Sequence, residues 1–171
     1  MNEVKESNSM ELMQSTIFND KDRQTFEEDY SALNVDIDRI ELIKEIGEGK
    51  SLLHIINEDE VVGFIILSKP EVEEVCHFDG CIYEVSIAIY KDDRGNQYAL
   101  EALRSLDDWV KNNLDKVRLE AVIRNETPCS GAIKKTLKSA GYVTGMDICR
   151  DCKINYCGYQ GLLQEWRKEI K

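Results

Sequence analysis

The stretch that most constrains how this chain can fold is Ile82–Ala99, IYEVSIAIYKDDRGNQYA, with the run Leu100–Lys111 behind it. Over residues 82–90 the residues alternate, with Tyr83, Val85, Ile87 and Ile89 on one face and Ile82, Glu84, Ser86, Ala88 and Tyr90 on the other, the signature of a strand. From Tyr98 the period becomes helical, with Leu100, Leu103, Leu106, Trp109 and Val110 at three- and four-residue steps and charged residues between them. A strand that feeds a long helix through a turn carrying Arg94-Gly95 leaves backbone N–H groups unpaired where the helix begins. That corner can hold an anion without any side-chain charge. The plainer reading is a structural connection with a solvated arginine.

Length and composition set the frame. A chain of 171 residues with 42% apolar and 32% charged residues suits one domain, 1–171, with a proper core. Its longest apolar runs, such as Val61–Leu67, are too short to span a membrane, and MNEVKESNSM has no apolar segment of the kind that begins a secretory signal. A cytoplasmic location is expected. The net charge of −11 argues against general nucleic-acid binding and favours a cationic partner, while leaving room for phosphate held by main-chain amides.

Six cysteines, Cys76, Cys81, Cys129, Cys149, Cys152 and Cys157, raise the question of a metal. The Cys149-x-x-Cys152 pair falls in an expected strand, where residues three apart point to opposite faces, so free thiols are expected rather than zinc or a disulfide. His54 and His77 have no nucleophile or carboxylate at a spacing that suggests chemistry, and Cys129 has no evident histidine partner.

Along the chain, residues 1–16 read as a loose arm or a short strand near Glu11–Ile17. A helix follows over 20–34, with Asp20 or Asp22 as cap and Phe26, Tyr30 and Leu33 as its apolar stripe. A second helix is expected over 36–46, then a hairpin of Ser51–Ile56 and Val61–Leu67. Residues 71–81 read as a loop or a strand extension. After the central strand and helix come a strand at Lys116–Ile123, a loop at Arg124–Ser130 and a helix at Gly131–Ala140. Strands are expected near 142–150 and 153–159, and Leu162–Ile170 reads as a helix or frayed tail. This order describes an α/β fold: a single mixed, mostly antiparallel sheet flanked by helices.

That order and its local motifs resemble the GNAT superfamily of acyl-CoA-dependent N-acetyltransferases, closest to the ribosomal-protein N-terminal acetyltransferase type. The family's pyrophosphate loop carries Arg or Gln, two residues, Gly, one residue, then Gly or Ala. Arg94 and Ala99 fall in register, Gln97 stands at the glycine, and Tyr98-Ala99-x-Glu101-Ala102-Leu103 continues as the family helix does. Asn125 and Gly141-Tyr142 look like the family's later Asn and Gly-Phe, although register counted back from Gly141 puts Ser130 at the Asn position. Leu137 aligns with a tyrosine that many members carry as general acid.

The resemblance implies acetyl-CoA in a wedge between the strand at 82–90 and that at 117–123. Its diphosphate would meet main-chain amides of Arg94, Gly95, Asn96, Gln97, Tyr98 and Ala99. Its pantetheine arm would lie along Ser86–Ile89, on Ile87, Ala88 and Ile89, with Asn125 holding an amide or a water. Glu84 is then the candidate base, acting directly or through water, against a salt-bridged strand glutamate. Ser130 is a candidate proton relay, against a helix cap. Tyr142 reads as a core aromatic more readily than as a group near the thiol.

The implied activity is acetyl transfer from acetyl-CoA to a primary amine of a small molecule or a protein N-terminus; a homodimer stays open. The alternatives are a non-catalytic acyl-CoA binding or interaction module and a zinc-stabilised structural protein built on Cys149–Cys157.

Overall fold

The fold is that of a computed structural model, which describes residues 10–33, 46, 49–69, 78–124, 130–144 and 163–171. Among them the elements run β1 (Glu11–Ser15), α1 (Asp20–Leu33), β2 (Lys50–Asn57), β3 (Glu60–Ser68), β4 (Cys81–Ile89), a 3-10 turn (Lys91–Asp93), α2 (Tyr98–Asn113), β5 (Val117–Arg124), α3 (Ser130–Ser139), β6 (Val143–Thr144) and β7 (Leu163–Ile170). The strands form one sheet in the order β1-β2-β3-β4-β5-β7-β6. Every neighbouring pair is antiparallel except β4 with β5. The mixed, mostly antiparallel sheet of the sequence reading is therefore what the chain builds.

Both faces of the sheet are covered, which explains the unbroken apolar runs of β2 and β3. Leu53, Ile55, Ile65, Leu67 and Val85 face one way, against Leu103, Leu106 and Val110 of α2 and Leu137 of α3. Leu52, Phe64, Ile66, Ala88 and Tyr90 face the other way, against Phe18 and Phe26 at the start of α1. The alternation read over residues 82–90 holds: odd positions of β4 join the α2 side, and Ala88 and Tyr90 join the α1 side. Leu103, Leu106 and Val110 are each almost wholly buried. Each contributes about 1.5–3 kcal/mol by leaving water, so α2 is held by packing more than by helix propensity.

Two expectations change. Leu162–Ile170 is not a helix or a tail, because residues 163–170 form β7 and pair along all of β5. Leu162, Trp166 and Ile170 fit a helical spacing as well as an alternating one, and the open edge of β5 decides between them. Trp166 and Ile170 are buried, and Lys168 between them reaches Asp107 of α2 and the carbonyl of Ala140. At the other end of the chain, of the two readings for residues 1–16 the short strand holds, as the edge strand Glu11–Ser15.

The second change is the cap of α1, which is Asn19 and neither aspartate. Asn19 Oδ1 accepts from the Asp22 N–H, and Asp22 Oδ2 accepts from the Asn19 N–H, both at 2.8 Å, a reciprocal capping box. The expected helix over 36–46, the 71–81 segment up to residue 77, most of the strand near 142–150 and the strand at 153–159 lie outside the described residues.

Candidate active site

β4 and β5 part company halfway along. They pair only from Cys81↔Val117 to Glu84↔Glu120. Beyond that point β4 stays bound to β3 as far as Gly63↔Ile89, and β5 stays bound to β7 as far as Arg124↔Leu163. A wedge therefore opens between Val85–Ile89 and Ala121–Arg124, where among the described residues no strand bridges the two. The main chain of β4 shows what faces it. The Tyr90 N–H donates to Val62 O of β3 at 2.9 Å, so even positions of β4 turn their peptide groups toward β3. By alternation, Val85, Ile87 and Ile89 turn theirs toward the wedge. Arg94 agrees with this, because its Nε donates to the carbonyl of Ile89 at 3.0 Å.

The loop that leaves the wedge is made for an anion. Gly95 has φ +89°, and Gln97 at the N-cap of α2 has φ +63° and ψ +9°, both left-handed. No side chain caps α2. The Gln97 carbonyl takes the N–H of Leu100 and of Glu101, which leaves those of Tyr98 and Ala99 at the open end of the helix. Left-handed residues alternating with right-handed ones turn successive N–H groups into a concavity suited to phosphate oxygens, and the dipole of α2 adds to it. Lys91, Asp92, Arg94, Gly95, Asn96 and Gln97 are all exposed, so among the described residues no apolar side chain fills the corner.

The structure brings most of the expected residues together. Ile87, Ala88 and Ile89 lie along one wall of the wedge, and residues 94–99 lie at its end. Glu84 sits at the apex as the last β4 residue paired to β5, half-buried, with Ser68 and Glu120 as its register partners on either side. Ser130 opens α3 as its first residue. Asn125, Cys129 and the cysteines at 76 and 149–157 lie outside the described residues, and Cys81 is an exposed free thiol. Tyr142 is a core aromatic, 2% exposed, and burial, with Asp107 nearby, raises the pKa of its hydroxyl far above tyrosine's ordinary value. Leu137 is buried as well and offers no proton.

Two features escaped the sequence reading. Glu120 is a buried carboxylate directly beside Glu84; the alternation of KVRLEAVI places it on the even face, but only the strand register reveals its neighbour. His54 is the second. Its Nε2 lies 2.8 Å from Oδ2 of Asp22, whose other oxygen takes the Tyr90 hydroxyl at 2.6 Å. These residues stand 32 and 68 positions apart, beyond any local spacing rule.

Comparisons with known proteins agree with this geometry. The sequence profile of the family described as "Acetyltransferase (GNAT) domain" matches residues 5–138. Among curated proteins, none matches the sequence. Among solved structures, the chain is similar to the GNAT domain of S. lividans PAT, with a TM-score of 0.60 at 12% identity over 94% of this chain and 90% of that one. It is similar also to a Bacillus subtilis acetyltransferase solved in complex with CoA, with a TM-score of 0.56 at 13% identity over 95% and 99%. A spermidine N-acetyltransferase from Vibrio cholerae, solved with CoA and spermine, gives a TM-score of 0.57 at 12% identity over 95% and 96%. Identities this low speak for the fold alone, but the profile spans most of the sequence: the chain belongs to the GNAT acetyltransferase family.

Proposed function

We propose that the protein is an acetyl-CoA-dependent N-acetyltransferase that passes the acetyl group directly to a primary amine. The observation that carries this reading is the continuity of the wedge with the amide-lined start of α2: one elongated, diphosphate-bearing molecule fits both. When bound, acetyl-CoA supplies an acetyl group already activated as a thioester. The chain's own residues then have three tasks.

The N–H groups of Tyr98 and Ala99 and the left-handed turn before them hold the diphosphate, with Arg94 adding charge at the rim. The wedge-facing peptide groups of β4 align the pantetheine arm, and one of their N–H groups, that of Ile87 or Ile89, meets the thioester oxygen, where negative charge develops. Glu84, at the apex, removes the proton of the incoming ammonium directly or through water, so that a neutral amine attacks. The acidic surface and the Glu84–Glu120 pair favour a cationic acceptor. The resemblance to the ribosomal-protein N-terminal type makes a protein N-terminus an acceptor to test beside small amines and polyamines.

A non-catalytic acyl-CoA binding module is the second reading, favoured by the buried Leu137 at the position of the family's tyrosine. Calorimetric titration with CoA and acetyl-CoA, followed by thiol release across a panel of amines and peptides, separates the two. Saturable binding with turnover supports the enzyme, and binding without turnover supports the module. No heat and no change in melting temperature at millimolar CoA removes both.

A further inference from the structure

The loop 91–97 buries almost nothing of its own. Six of its seven residues are exposed and Asp93 is partly so; Asn96 Nδ2 donates to Asp93 O within the loop, and Arg94 Nε donates to Ile89 O at the end of β4. With so little of it buried, the loop takes its direction from its two ends as well as from Arg94. One end is α2, fixed by its packing. The other is Tyr90, which is 4% exposed and held at three points. Its N–H is in the sheet on Val62 O, and its carbonyl accepts the Asp93 N–H at 2.9 Å to begin the 3-10 turn. Its hydroxyl donates to Asp22 Oδ1 at 2.6 Å and accepts from the Asn19 side-chain amide at 2.9 Å.

Asp22 is wholly buried. A buried carboxylate is tolerated only when its oxygens are satisfied. Here Oδ2 takes the Asn19 N–H and the Nε2 hydrogen of His54, and Oδ1 takes the Tyr90 hydroxyl. His54 is 4% exposed in the middle of β2, and the Lys21 ammonium lies 5.5 Å above the Tyr90 ring. The cluster thus ties α1, β2 and the end of β4 at a single point, directly before the loop. Its side-chain hydrogen bonds run among Asn19, Asp22, His54 and Tyr90, apart from the amides of residues 94–99.

We infer that Asp22, His54 and Tyr90 are positioning residues for the coenzyme loop: they fix the direction in which it leaves β4, and with it the concavity of amides that takes the diphosphate. This rests on the function proposed above. Removal of one member leaves the fold in place but frees the first residues of the loop, so coenzyme affinity falls while the aligned chemistry at saturation is kept.

The test uses the full chain with Tyr90→Phe, His54→Gln and His54→Ala, and Ile170→Ala as a control at the far end of the sheet. Two readouts are taken: CoA affinity by calorimetry, with KM and kcat where turnover is present, and amide hydrogen exchange over residues 91–99. Tyr90→Phe is expected to weaken CoA about tenfold, the worth of one hydrogen bond to a charged group, to raise KM with kcat within about twofold, and to speed exchange in the loop. His54→Ala is expected to act alike, and His54→Gln, which keeps an N–H for Asp22, to recover most of the affinity. Ile170→Ala is expected to lower stability and leave both loop readouts unchanged.

Folded Tyr90→Phe with unaltered exchange and affinity overturns the inference. So does His54→Ala, should Tyr90→Phe fail to fold and His54→Ala leave the loop unaffected. If the wild type binds no CoA while Tyr90→Phe still loosens the loop, the anchor stands and the coenzyme reading falls.

Discussion

Gln97 occupies a backbone conformation that suits glycine. A residue with a Cβ pays about 1–2 kcal/mol there, against the 0.5–1 kcal/mol of extra chain entropy that a glycine loses on folding. Gln97→Gly is therefore expected to raise the unfolding free energy by about 0.5–1 kcal/mol in a urea titration and to keep or improve CoA affinity. The family loop pattern marked the position, because Gln97 stands where glycine is called for, but the left-handed torsion itself was not legible from the residue present. Alternation assigned a face of β4 to Glu84, and the base role proposed for it comes from the resemblance; the register adds that it stands where β4 and β5 part. Its replacement by Gln, which keeps shape and removes basicity, is expected to lower kcat about 100-fold at neutral pH, with the KM for acetyl-CoA within about twofold. Steady-state thiol release with a saturating amine checks both numbers. Glu120, its register partner, was not legible, since the neighbour of a residue on a parallel strand depends on where the intervening helix returns the chain.

At the scale of elements, periodicity served where one face was apolar and the other polar, as in α2, and failed where the same spacing fits two periods. β7 is the instructive failure. Its core face carries Lys168 between Trp166 and Ile170, so charge falls where an apolar residue is expected, and the lysine ammonium sits on Asp107, 5.9 Å from the centre of the Tyr142 ring. Nothing local in LQEWRKEI announces that arrangement; Asp107 is 61 residues away. β3 gives a prediction of its own. A Cβ on Gly63 would sit 2.3 Å from the carbonyl oxygen of Ala88, main chain that cannot step aside without moving β4. Gly63→Ala is expected to cost about 1–3 kcal/mol in denaturant midpoint, and to weaken CoA as well because β4 is a wall of the wedge.

For the molecule as a whole, the two covered faces of the sheet produce a specific response to alkali. Tyr90 lies on the α1 side and Tyr142 on the α2 side, and burial above all raises the pKa of both hydroxyls in the folded state from an ordinary value of 10.0. A folded pKa above the unfolded one means that the native state keeps a proton the unfolded chain has released. The associated stability is complete below pH 10 and is lost as the pH rises beyond it. The expected outcome is a fall in melting temperature that begins near the tyrosine range, with ultraviolet titration showing these hydroxyls ionise only as the chain unfolds. Tyr90→Phe is expected to remove part of that slope. Among the described residues no helix is long and apolar enough to cross a membrane.

The uncapped start of α2 has a consequence for mutagenesis. A grip made of peptide groups survives an alanine scan, because alanine keeps every amide; a survey of side chains would find the loop tolerant and miss it. Proline is the informative replacement, since it deletes the hydrogen itself and is accepted in the first helical turn. Ala99→Pro is expected to leave the far-ultraviolet spectrum intact and to cost at least about tenfold in CoA affinity, a loss that Ala99→Ser would not reproduce.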